Sequence, residues 1–139
     1  MNEINQKILK FGFDKNFKLE DFYLSKSNQH IYKLLQAWPK WEKNFLNISG
    51  EKNSGKSHLI EIFLKKFKGI CFEAKSFDVS KLELIKFHQN IVLEDLNKNI
   101  DENLIYSLFN IIDQENKYLI ITSLKSIVDL KFDLILYPH

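Results

Sequence analysis

The stretch FLNISGEKNSGKSHLIEIFLKKF, residues 45–67, decides the fold. Its centre, GEKNSGKS (50–57), carries Gly50, Gly55, Lys56 and Ser57 at the spacing G-x-x-x-x-G-K-[ST], a phosphate-loop pattern. Phe45 to Ile48 is an apolar run of strand length. After the loop, Leu59, Ile60, Phe63, Leu64 and Phe67 recur at helical spacing from Lys56 to Phe67. A strand, a glycine-bearing turn and an amphipathic helix are the setting in which the pattern holds phosphate. Glycines let backbone N–H groups curl around the anion, and the helix turns its positive end toward it. The nucleotide-binding stretch is thus Gly50, Glu51, Lys52, Asn53, Ser54, Gly55, Lys56, Ser57 and His58. Lys56 reaches the β- and γ-phosphates, and the Ser57 hydroxyl suits Mg²⁺.

Outward from the loop, strands and helices alternate. Gly69 marks a turn, and GICFEA (69–74) reads as a second strand. Asp78 caps a helix through Leu82 and Ile85. NIVLEDL (90–96) reads as a buried third strand, apolar without alternation, as parallel strands are. Asp101 caps a helix bearing Leu104, Ile105, Leu108, Phe109 and Ile112. YLIIT (118–122) reads as strand four and DLILYP (133–138) as strand five. On the N-terminal side, Ser27 caps a helix with Ile31, Leu34 and Leu35 on one face, ended by Trp38-Pro39. Residues 1–20 read as a polar extended arm. The pattern predicts an α/β fold, a three-layer αβα sandwich of P-loop NTPase type with a parallel five-stranded sheet. Residues 21–139 form its single domain.

Two acids end strand three. Glu94 sits where a P-loop protein places its Mg²⁺-linked acid, and Asp95 where a base orients water. At the end of strand four, Thr122 or Ser123 faces the ligand crevice and is placed to sense a γ-phosphate or an attacking water. Acids and hydroxyls at strand ends are commonly just solvated or turn-forming; the upstream loop weighs against that here.

Composition narrows the rest. The chain has 139 residues, 45% hydrophobic and 27% charged, with a formal charge of +2. That describes a globular protein without a strong charge pull toward nucleic acid, and no direct DNA binding is expected. No apolar run approaches the roughly 18 residues of a membrane span. A single cysteine, Cys71, permits no internal disulfide and suits the reducing cytoplasm. Cys71 reads as a core thiol, the four histidines show no metal-ligand spacing, and Trp38 and Trp41 read as packing anchors. All 20 Lys+Arg residues are lysine. Nothing in the chain can therefore fork two planar hydrogen bonds onto a phosphate.

DFYLSKSNQHIYKLLQAWPKWEKNFLNISGEKNSGKSHL (21–59) resembles the DnaA/Hda branch of AAA+ proteins, closest to the alphaproteobacterial Hda-type regulators. It has an aromatic lead-in, a Ser-Asn pair, W-P-x-W, and the phosphate loop ending in G-K-S-H-L. LEDLNKNIDENLIYSLFNIIDQENKYLIITS (93–123) resembles the same group's V-E-D-L-D segment, following helix and sensor-1 strand. The resemblance implies ADP or ATP as ligand and a sheet of order 5-1-4-3-2, counted from the phosphate-loop strand. It implies Phe22 and Tyr23 near the adenine. It further implies a clamp-docking motif at Gln6, Ile8 and Leu9, where Lys7 replaces an apolar residue. The implied partners are DnaA and the DNA polymerase III sliding clamp, and the implied role is regulatory inactivation of DnaA. The family's arginine-bearing segment after sensor 1 and its helical lid have no counterpart here, so the lid domain is expected to be absent. Two alternatives stand beside regulation: a weak ATPase using Asp95 and Lys125 or Lys131, and an adaptor that keeps the fold without the nucleotide.

Overall fold

The computed structural model describes residues 19–24 and 29–130. Five strands, β1 (Leu19–Tyr23), β2 (Phe45–Ser49), β3 (Ile70–Glu73), β4 (Asn90–Leu96) and β5 (Tyr118–Ser123), form one sheet in the order β1-β2-β5-β4-β3. Every pairing is parallel. The helices are α1 (Gln29–Gln36), α2 (Lys56–Phe67), α3 (Val79–Ile85), α4 (Glu102–Gln114) and the short α5 (Ile127–Leu130).

Strand alternation divides the core in two. Phe45, Ile91, Leu93, Leu119 and Ile121 point to one face, where Ile85 of α3, the apolar side of α4 and Ile127 of α5 cover them. Leu46, Ile48, Val92 and Ile120 point to the other, under Ile31 and Leu35 of α1 and Leu59, Ile60 and Phe63 of α2. Buried on both faces, β2, β4 and β5 read as continuous apolar runs rather than alternating ones. Trp38 and Trp41 anchor the second face. Trp41 stacks on Phe63, and Trp38 meets Phe63 edge-on. The predicted caps at Asp78 and Asp101 form: Asp78 accepts from Ser80 N–H and Asp101 from Asn103 N–H. Among the described residues, no helix is long and apolar enough to cross a membrane.

The sheet order differs from 5-1-4-3-2. Counted from β2, the strands β2-β5-β4-β3 keep the sequence 1-4-3-2, but the edge beside β2 belongs to β1. Leu19–Tyr23 runs in register with Phe45–Ser49, from Leu19 opposite Phe45 to Tyr23 opposite Ser49. The anticipated fifth strand, 133–138, lies outside the described residues. LEDFY does not read as a strand because each of its faces carries little apolar surface: Leu19 packs on one core and Phe22 on the other, with Glu20 and Asp21 between them. Acids on an edge strand are a common guard against further pairing. β1 also begins inside the segment read as an arm, at Leu19.

Phe63 is fully buried under both tryptophans. Phe63→Ala is expected to lower unfolding free energy by about 3–5 kcal/mol, measured by urea denaturation. A loss under about 1 kcal/mol would show that α2 is not seated on this aromatic cluster.

Candidate functional site

The carboxyl ends of β2, β4 and β5 converge, and a parallel sheet offers its ligand crevice at such ends. β2 leaves the sheet at Ser49, and Gly50 N–H donates to Ser123 O of β5 at 3.0 Å. On the other side Leu24, just past β1, donates its N–H to Ser49 O. Gly50 is wedged between these neighbours. A Cβ there would meet Leu24 O and Ser54 Oγ at 3.0 Å each, closer than ordinary contact.

The loop then climbs into α2. Asn53 adopts φ 66° and Gly55 φ 103°, both left-handed, and Ser54 N–H closes the turn on Glu51 O at 3.1 Å. Gly55 is the N-cap of α2 and no side chain caps that end. The first amides of a helix have no intrahelical acceptor, so Gly55, Lys56, Ser57 and His58 present N–H groups at a positive dipole end. They face a cavity of about 450 Å³ lined by Lys52, Asn53, Ser54, Gly55, Lys56, Ser57, His58, Asp95 and Leu124. Ser54 Oγ is buried there without a hydrogen-bond partner. An uncapped helix start and a buried orphan hydroxyl beside a cavity lined by the loop suit a phosphate chain.

Lys56 is only 9% exposed. Its ammonium donates to Gly50 O and, at 2.9 Å, to Glu51 O, spanning the base of the loop. Desolvation pulls its pKa below the usual lysine value, and the charges of Asp95 and Glu51 offset part of that. A desolvated ammonium with few partners gains most from an incoming anion. Ser57 Oγ donates to Glu94 Oε2 at 3.4 Å, so the two residues expected to share Mg²⁺ are neighbours. Among the described residues, no group of three or more His, Cys, Asp or Glu side chains gathers as a metal site.

Asp95 lines the loop cavity from a bulge. The β4–β5 register shifts between Leu93 and Leu96, and Asp95 takes φ 61°. Its N–H donates to Thr122 Oγ1 at 3.0 Å. A non-glycine residue held left-handed costs on the order of 1 kcal/mol or more and persists where neighbours fix it. Thr122 is buried, so its hydroxyl oxygen serves Asp95 from beneath rather than the cavity wall. Phe22 is half-buried with its ring 5.8 Å from that of His30, and Tyr23 is 59% exposed. Neither lines the loop cavity. Gln6, Ile8, Leu9, Ser27 and Lys131 lie outside the described residues.

Sequence reasoning overlooked Asn47. Within the apolar run at 45–48, its side chain is completely buried and bonded to β5 and α5. A lone Asn amid strand apolars was the available signal. Cys71 is exposed on β3 rather than in the core. Its Sγ donates to Glu94 Oε1 at 3.5 Å. Partial burial of the thiol, reinforced by the Glu94 carboxylate, pushes its pKa up to about 12.

Comparison with protein-family models, curated proteins and solved structures found no match to this chain.

The raised Cys71 pKa keeps its thiolate scarce. Alkylation by iodoacetamide at pH 8 is expected to run at least about tenfold slower than for a free thiol, and Glu94→Gln to speed it. A free-thiol rate, followed by mass spectrometry, would show that Glu94 does not crowd this sulfur.

Proposed function

We propose that the chain holds the phosphates of an adenine nucleotide, with Mg²⁺, in the loop from Gly50 to His58. We further propose that it acts as a regulator of the DnaA/Hda type, through DnaA and the sliding clamp. The observation that carries nucleotide binding is the uncapped start of α2 at left-handed Gly55, with the buried Lys56 ammonium beneath it. Together they supply converging amides and one cation to a polyanion. Ser57 and Glu94 are the side chains that would hold Mg²⁺ jointly with phosphate oxygens, an arrangement usual for this ion. Its charge would complement what one ammonium leaves unbalanced. Adenine preference and both protein partners rest on the resemblance of 21–59 and 93–123 alone.

Binding is favoured over turnover. Asp95 lines the cavity beside Lys56 and can accept a proton from water. An arginine finger, where one operates, is worth about 10³–10⁵ in rate, and this chain has no arginine. A lysine supplies charge without the planar fork. The proposed protein therefore behaves as a nucleotide-dependent binding module, with hydrolysis slow.

Titration of fluorescent ADP and ATP against the protein is expected to saturate in the micromolar range, about −8 kcal/mol. Lys56→Ala is expected to weaken it at least about tenfold. Equal binding by both proteins, or none by either, contradicts nucleotide binding. In a phosphate-release assay, slow turnover that vanishes in Asp95→Asn would instead favour the ATPase.

A further inference from the structure

Beyond the loop, a second polar device is built into the sheet around Asn47. Asn47 is 0% exposed, flanked along β2 by the apolar Leu46 and Ile48. A buried amide without partners is costly, and this one is fully employed. Its Nδ2 donates to Ile121 O at 3.2 Å and to Ser123 Oγ at 3.0 Å, and its Oδ1 accepts from Ile127 N–H at 2.8 Å. Ser123 Oγ in turn donates to Lys125 O at 2.6 Å. Asn47 thus grips both ends of the turn between β5 and α5.

That turn walls the site. Leu124 lines the loop cavity together with Lys52, Lys56 and Asp95. A second hollow of about 540 Å³ continues from it, sharing Lys52, Asp95 and Leu124 and adding Leu96, Asn97, Lys125 and Leu130. Lys125 is exposed and has no ion-pair partner among the described residues. The turn therefore borders the cavity that Lys56 and Asp95 also line, next to the hollow that Lys125 lines. Ser123 O also receives Gly50 N–H, so the same residue ties the turn to the first residue of the phosphate loop.

We infer that Asn47 is a positioning residue that fixes the Leu124–Lys125 turn, through Ser123 and Ile127, so that Lys125 meets a terminal phosphate and the site distinguishes nucleoside triphosphate from diphosphate. This rests on the nucleotide binding proposed above. Asn47 touches no ligand. It acts by holding the backbone from which the Lys125 ammonium projects, and a long flexible side chain is useful for a defined charge only when its base is fixed. A diphosphate, which carries no third phosphate for Lys125 to meet, is indifferent to that fixation.

The test measures dissociation constants for ADP and for a non-hydrolysable ATP analogue in four proteins: the unaltered chain, Asn47→Leu, Lys125→Met, and the double variant. Asn47→Leu and Lys125→Met are each expected to weaken the analogue about tenfold while leaving ADP within about twofold, and the double to lose little more than either alone. Should thermal melting show Asn47→Leu unfolded, Ser123→Ala cuts the link to Lys125 O with a smaller change and is expected to show the same selective loss. Equal weakening of both ligands means that Asn47 only supports the fold, and it overturns the inference; so does no change, or full additivity in the double. An unaltered chain that binds neither ligand removes the nucleotide-binding function itself. One that binds ADP with every variant unselective removes the role of Asn47 alone.

Discussion

Backbone amides at a helix start are worth something to an anion only if nothing else in the protein consumes them, and the rest of this structure depends on that condition. Gly55 meets it twice. Its left-handed φ of 103° turns the chain sharply into α2, and it carries no side chain to cap the amides it exposes. The surroundings keep the turn in place. Gly50 is locked between Leu24 and β5, and Lys56 crosses the base of the loop to the Gly50 and Glu51 carbonyls. Uncapped N–H groups lower helix stability by roughly 1 kcal/mol against a good cap, a cost that anion binding can offset. A well-packed α2, seated through Leu59, Ile60 and Phe63, carries it meanwhile.

Much of this was legible in the sequence, because the informative residues act locally. β4 was bounded residue for residue at 90–96, and α2 at 56–67, since continuous apolar runs and helical spacing are strong where the element is buried. The Asp78 and Asp101 caps were legible for the same reason: a cap acts on residues two or three away. The neighbouring pair Ser57 and Glu94 followed from placing an acid at the end of a strand that pairs near the loop strand.

What stayed hidden depends on partners distant in sequence. β1 forms because Leu19 and Phe22 find opposite faces of a sheet built by strands further along the chain, and no local pattern announces that. Asp21 of β1 is also engaged from far away, by the Ser126 hydroxyl before α5. Asn47 bonds to residues more than 70 positions away, so nothing local within the apolar run at 45–48 marks it as a clamp. Thr122 was placed at a sensing position by its strand end, yet its hydroxyl oxygen takes the Asp95 amide. The bulge that creates this contact is a register shift between two strands, and one strand's sequence does not show it.

These tertiary contacts give the site a consistent chemical character. One desolvated ammonium, a set of unspent amides and a Ser–Glu pair favour holding a phosphate chain, whereas an all-lysine complement without arginine does little for its cleavage. The most direct measurement is a ¹H–¹⁵N amide spectrum recorded while ADP and Mg²⁺ are added. If the start of α2 receives the phosphates, the largest shifts fall on Gly55, Lys56, Ser57 and His58, with smaller ones at Gly50 and Asp95. Saturating nucleotide that leaves those amides unmoved, or shifts only residues remote from them, would contradict the account.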